Sequence, residues 1–253
     1  MKYIYGPVSS WRLGRSLGVD LVSGDKTCTF DCLYCQLGIT IRHLIKRDIF
    51  APALEIFKEL ESLPPLDIDY ITLSGTGEPT LAANLGEVIM EIKRHFNKPV
   101  AVLTNSSLMH DPKVRKELSF ADKVIAKLDA PNEEILRKIN RPTNGITFDM
   151  IIEGIKKFNE EYPGKLSLQI MFMYANIDKA KAIAKLAKDI GLVEVEVNTP
   201  LRPCAVRPLP PEELQPVKSF FEPLKVYSVY DVPRQAVKPF DLKKTKMRRP
   251  EGG

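Results

Sequence analysis

Short, largely apolar runs alternate along this chain with longer stretches in which apolar positions recur every three or four residues. The runs at 18–22, 69–73 (DYITL), 99–103, 123–128, 166–173 and 193–197 read as strands. The amphipathic stretches at 52–60, 81–96, 111–118, 132–139, 148–161 and 179–190 read as helices. Local signals agree with these boundaries. Asp111 followed by Pro112 has the chemistry of an N-cap and first helical residue. Pro163-Gly164 stops the helix before it, and Gly191 suits the position just past a helix end. A last helix is expected at 211–221 and an extra strand at 224–229. Six βα units in succession imply an α/β fold with a parallel sheet and helical crossovers. Nearly continuous apolar strands such as PVAVLT and LQIMFMY suit a sheet covered on both faces. Such a sheet is either doubly wound or an incomplete barrel, and in both cases ligands bind at the carboxyl ends of the strands.

Composition narrows the setting. No apolar run approaches the ~20 residues needed to cross a membrane, and the N-terminal MKYIYGPVSSWRLGRS lacks the apolar centre of a secretory signal. A cytoplasmic protein with reduced thiols is expected, with no membrane partner. The net charge of +5 resides in residues 238–249, where Lys238, Lys243, Lys244, Lys246, Arg248 and Arg249 face only Asp241. The segment reads as a solvated, disordered basic end, with nucleic-acid binding as the functional alternative. The expected division is a core over 1–210 with an N-terminal extension, a helix and strand over 211–236, and a basic tail over 237–253.

The densest chemical signal is Cys28-Thr29-Phe30-Asp31-Cys32-Leu33-Tyr34-Cys35. Three thiolates at C-x3-C-x2-C spacing can converge on one inorganic centre. A [4Fe–4S] cluster normally takes four, so a cluster held here leaves one iron open to a non-protein ligand. The rival reading is a closed zinc site completed by Cys204 or His43, in a non-catalytic structural module. Other polar groups gather at predicted strand ends. Ser74-Gly75-Thr76-Gly77-Glu78-Pro79 follows one strand; its glycines permit close backbone approach, and Glu78 with backbone carbonyls can hold an ammonium group. Asn105 ends the next strand, and Lys127 and Asp129, two apart, point to one side of a strand. Asn198 and Arg202 follow the sixth strand. Arg12 and Arg15, with Arg42, Lys46 and Arg47 as a positive rim, suit an anionic substrate or an electron donor.

These motifs resemble the radical S-adenosylmethionine (SAM) superfamily: the cysteine triad with Tyr34 before its third member, then a strand ending in GTGEP. YGPV from Tyr5, RLGRSLG from Arg12, CLYCQLG, LSGTGEPTL, INRP from Ile139 and VNTPLRP from Val197 resemble one branch, grouped with the wyosine-type tRNA-modifying synthetases. The resemblance covers roughly residues 3–210. It implies a partial (β/α)6 barrel, with Cys28, Cys32 and Cys35 ligating three irons of a [4Fe–4S] cluster and SAM chelating the fourth. Tyr34 would lie near the adenine. Ser74, Gly75, Thr76, Gly77 and Glu78 would hold the methionine ammonium. Asn105, Lys127 and Asp129 would contact ribose or carboxylate. Met171, Met173 and Asn198 would flank the adenine. The implied activity is reductive cleavage of SAM to a 5′-deoxyadenosyl radical that takes hydrogen from a tRNA base, a peptide or protein, or a small metabolite. The implied partner is a ferredoxin or flavodoxin. Wyosine synthetases bind a second cluster through additional cysteines, whereas this chain has one further cysteine, Cys204, and one thiol cannot hold a second cluster.

Overall fold

The computed structural model describes residues 1–233 and 235–250. Ten strands are found among them: β1 (Ile4–Ser10), β2 (Gly14–Val19), β3 (Thr27–Cys28), β4 (Arg42–His43), β5 (Tyr70–Leu73), β6 (Val100–Thr104), β7 (Lys123–Lys127), β8 (Leu166–Met171), β9 (Glu194–Asn198) and β10 (Lys225–Ser228). The helices are α1 (Ala53–Glu61), α2 (Leu85–His95), α3 (Pro112–Leu118), α4 (Glu133–Ile139), α5 (Phe148–Glu161), α6 (Ala180–Asp189), α7 (Pro211–Leu214) and α8 (Leu242–Arg248).

Eight strands form one sheet in the order β1-β2-β5-β6-β7-β8-β9-β10. From β2 to β10 every pairing is parallel, and β1 adds an antiparallel edge. The sheet curls into a half-barrel. Its curvature brings Arg12, in the β1–β2 turn, to within 3.2 Å of Glu196 in β9, with four strands between β2 and β9. The expected partial (β/α)6 barrel is present, with β2, β5, β6, β7, β8 and β9 as its six strands.

Capping chemistry explains where several helices begin. Asn132 accepts from Ile135 N, Thr147 from Met150 N and Asp111 from Lys113 N, each satisfying an amide that the first turn leaves unpaired. On α2, Leu85, Val88, Ile89 and Ile92 are buried, the i, i+3, i+4, i+7 stripe that packs a helix on the sheet. Inside the curl, Leu13, Ala101 and Ile125 form a separate small core, with Tyr70 and Leu103 against it.

Four expectations need correction. Residues 4–10 form β1, an unforeseen edge strand; Gly6-Pro7 disguises it, and the register shift between Tyr5 and Val8 accommodates it. The first barrel strand is Gly14–Val19, upstream of the expected 18–22. The helix expected at 211–221 is one α-turn (α7) followed by a 3₁₀ segment, Gln215–Phe221, because Pro216 removes an amide from the α ladder. The basic end is not solvated throughout. Residues 242–248 form α8, capped by Asp241, and Arg248 is 3% exposed.

Candidate active site

A cavity of about 320 Å³ opens inside the curl, over the floor made by Leu13, Leu103 and Ile125. Cys28, Cys32 and Cys35 all line it. They sit in the loop that follows β2, framed by the short parallel pair β3–β4. The INRP segment braces this loop from behind. Asp31 N donates to Asn140 O (3.0 Å), Leu33 N to Ile139 O (2.9 Å) and Thr143 N to Thr29 O (2.8 Å).

Amide groups are aimed at two of the sulfurs. Phe30 N and Asn105 Nδ2 lie 3.4 and 3.5 Å from Cys28 Sγ, and Asn140 Nδ2 lies 3.4 Å from Cys32 Sγ. As free thiols these groups resist ionisation. Burial, with the nearby Glu78 carboxylate, pushes Cys28 far up. Burial raises Cys32 to about 11, while Lys127 and the Asn140 amide act the other way. A bound metal supplies the positive charge that such buried thiolates need.

The loop after β5 brings Ser74, Gly75, Gly77 and Glu78 to the same cavity. Its glycines are required from behind rather than from the cavity side. A Cβ on Gly75 would lie 2.1 Å from Asp20 Cγ, and one on Gly77 would lie 1.9 Å from the Thr27 carbonyl oxygen. The GTGE loop and the cysteine loop therefore touch through bare backbone. Glu78 is buried and heavily bonded: its Oε1 accepts from Thr80 N (3.1 Å), Thr80 Oγ1 (2.7 Å) and Thr104 Oγ1 (2.6 Å). Oε2 accepts only from Asn105 N, at 2.7 Å, and so retains acceptor capacity toward the cavity. Burial pushes the Glu78 carboxyl upward against the pull of these four donors.

The other expected residues divide. Tyr34, Asn105, Lys127, Met171 and Asn198 line the cavity. Lys127 Nζ sits 4.5 Å from the centre of the Tyr34 ring. Met171 and Asn198 are register partners on β8 and β9. Asn105 also serves the cysteine loop, donating to Thr29 Oγ1 at 2.7 Å while its Oδ1 accepts from Ser107 N.

Three residues are not in the lining. Asp129 stands behind Tyr34, accepting the Tyr34 hydroxyl proton, Asn140 Nδ2 (2.9 Å) and Met171 N (2.7 Å). Met173 lies past the end of β8, 1% exposed in the main core. Thr76 turns away, donating to Asp20 Oδ2 at 2.9 Å and Val22 O at 3.0 Å. The positive rim also changes: Arg47 is withdrawn onto Glu117 and the carbonyls of Thr80 and Ala82, and Arg15 is committed to Asp69 outside the cavity.

Two residues not expected at the site reinforce it, Asn140 from behind the lining and Arg249 within it. Asn140 joins Cys32, Tyr34 and Asp129 through one amide. Arg249 follows α8 into the cavity, where its Nη2 donates to Ser74 Oγ at 2.9 Å.

The lining fits an iron–sulfur cluster with a polar cofactor beside it. Three cysteines share one cavity with amide donors at their sulfurs, the surroundings that tune cluster potentials. Cys204 lies outside the lining, its thiol 3.3 Å from Val206 O, and the exposed His43 reaches toward Thr143.

Comparison with known proteins agrees with this geometry. The model of the Radical SAM superfamily matches residues 25–187. A UPF0026 protein of Synechocystis sp. is 46% identical over 202 residues, covering 79% of this chain and 76% of that one. A UPF0026 protein of Methanocaldococcus jannaschii is 37% identical over 222 residues, covering 85% and 68%. Among solved structures, Streptococcus suis SuiB bound to S-adenosylmethionine superposes with a TM-score of 0.63 at 13% identity. That likeness of fold takes in 85% of this chain and 50% of SuiB. The chain belongs to the radical SAM superfamily, among its UPF0026 proteins, and is an enzyme of SAM-dependent radical chemistry.

Proposed function

We propose that Cys28, Cys32 and Cys35 hold a single [4Fe–4S] cluster and that the cavity above them takes SAM together with a small substrate, from which a hydrogen atom is removed. The observation that carries this reading is that the three thiols and the Glu78 loop line one cavity. When bound, the cluster and SAM supply the one-electron cleavage that generates a hydrogen-abstracting radical. The chain's residues bind and orient. Glu78 Oε2 and the backbone of residues 74–77 accept the methionine ammonium. Tyr34, held by Asp129 and Asn140, forms a fixed wall, and Met171 and Asn198 flank the adenine. Lys127 stands over Tyr34, where its charge favours a carboxylate or ribose hydroxyl. The apolar floor keeps water from the reacting centre. An electron donor such as ferredoxin or flavodoxin provides the reducing equivalent.

The test is anaerobic incubation of cluster-loaded protein with SAM and dithionite, followed by chromatography of the nucleosides. The reading predicts 5′-deoxyadenosine from the wild type and none from Cys32→Ala. Intact SAM in the presence of a fully loaded, reduced cluster would contradict it.

A further inference from the structure

The β1–β2 turn delivers a second set of polar groups to the cavity, away from the cysteines. Arg12 lines the cavity with its side chain 13% exposed. Its Nε lies 3.2 Å from Glu196 Oε2, without hydrogen-bonding geometry. Nε and Nη1 of Arg12 and Oγ of Ser9 are buried and have no hydrogen-bond partner among the described residues. Burying such donors unmet is costly, and more so for charged groups. Glu196 Oε2, itself buried without a hydrogen-bond partner among the described residues, is the carboxylate oxygen beside Arg12 Nε, while its other oxygen accepts from Ser167 Oγ at 3.0 Å and lies 3.4 Å from Lys123 Nζ; Arg12 Nη1 and Ser9 Oγ stay unmet. Among the described residues Arg12, Lys127 and Arg249 line the cavity with one carboxylate, Glu78, while the buried carboxylates of Glu196 and Asp129 stand behind Arg12 and Lys127.

Position separates this group from the cofactor end. Arg12 precedes β2 and the cysteine loop follows it, and a six-residue strand spans roughly 20 Å. A planar guanidinium and a hydroxyl that line the same cavity suit the oxygens of a carboxylate or phosphate. We infer that Arg12 and Ser9 form an oxyanion subsite on the cavity floor that holds the carboxylate or phosphate group of a small substrate. This rests on the radical SAM reading above and adds the substrate's chemical class.

Trp11, the chain's single tryptophan, provides the probe, since the Arg12 guanidinium sits 5.0 Å from its ring centre. Cluster-loaded protein is titrated with inorganic phosphate, and separately with acetate, at constant ionic strength made up with chloride. The expected result is a saturable change in Trp11 fluorescence with at least one of the two. The tighter of the two identifies the substrate's group as phosphate or carboxylate. The response should persist when SAM is present. Arg12→Gln should weaken it about tenfold or more, the worth of a charge-assisted hydrogen bond, and Ser9→Ala should weaken it several-fold. If Arg12→Gln fails to fold by circular dichroism, Ser9→Ala and the SAM competition decide. No response beyond that of chloride, an unchanged response in the folded variants, or loss of the response on adding SAM would each overturn the subsite. A Trp11 response without SAM cleavage would leave the subsite standing and remove the radical reading alone.

Discussion

Arg248 and Asp20, 228 positions apart, form a buried ion pair, with Arg248 Nε 2.7 Å from Asp20 Oδ2 and side-chain exposures of 3% and 1%. The pair ties the end of the chain to the cofactor loops. Asp20 Oδ2 also accepts from Thr76 Oγ1, and the Asp20 carboxylate fills the space beside Gly75. Arg248 Nη2 donates to Lys2 O at 2.6 Å, and its carbonyl accepts from Gln36 Nε2, next to Cys35, at 2.7 Å. Helix α8 is thus a strap across both the cysteine loop and the GTGE loop. Arg248→Ala leaves a buried carboxylate unpaired and is expected to cost about 3–5 kcal/mol. Urea unfolding of wild type and variant checks this, and a loss below 1 kcal/mol would show that the pair does not fasten the strap.

Gly77 has no room for a side chain. Its Cβ would approach the Thr27 carbonyl oxygen to 1.9 Å, one residue before Cys28. Gly77→Ala must push the cysteine loop outward, so reconstituted protein should carry far less iron per chain than wild type while keeping its far-ultraviolet circular dichroism. Normal iron content would mean that the loop yields without disturbing its thiols.

Glu78 meets four donors and retains spare acceptor capacity on Oε2. Glu78→Gln replaces one carboxylate oxygen with an NH2 group that faces a donor it cannot satisfy. The expected stability loss is about 1–3 kcal/mol, together with SAM affinity weakened about tenfold or more by equilibrium dialysis. Unchanged SAM affinity in a destabilised variant would confine Glu78 to a structural role.

Asp69 accepts from Arg15 N, Nε and Nη2 at 2.7, 3.1 and 2.7 Å, and these bonds bring its carboxyl down to about 2. A carboxylate depressed on folding contributes stability that is fully present above its unfolded pKa of about 4 and lost as pH falls through about 2. The partial exposure of Asp69, 34% at its side chain, limits the contribution to about 1 kcal/mol. Asp69→Asn should flatten the stability profile between about pH 4 and 2 and leave its slope near pH 7 unchanged. Melting temperatures across that range make the comparison.

What the sequence revealed and what it concealed follow from the range of the interactions. Helix 148–161 matches α5 in full because its stripe, its Thr147 cap and its Pro-Gly stop are all local. The barrel strands were legible from their apolar outward positions. Their inward positions are partly polar, as with Ser16, Thr72, Gln169 and Glu196, which hid the start of β2. The cysteines and Glu78 were readable because each motif lies within a few residues. Asp129 shares a side with Lys127, its Oδ2 3.9 Å from Lys127 Nζ, but β7 ends at Lys127 and Asp129 stands behind the lining, which alternation within a strand does not show. Asn140, Arg248 and Arg249 reach the site through contacts more than a hundred residues apart in sequence, which no local pattern encodes.

The most direct test of the account is the low-temperature electron paramagnetic resonance spectrum of the reduced, cluster-loaded protein, recorded with and without SAM. Three cysteine ligands and one open iron predict a [4Fe–4S]⁺ signal whose g-values shift when SAM is added, and loss of the signal in Cys32→Ala. A cluster signal identical with and without SAM would contradict an open coordination position in this cavity.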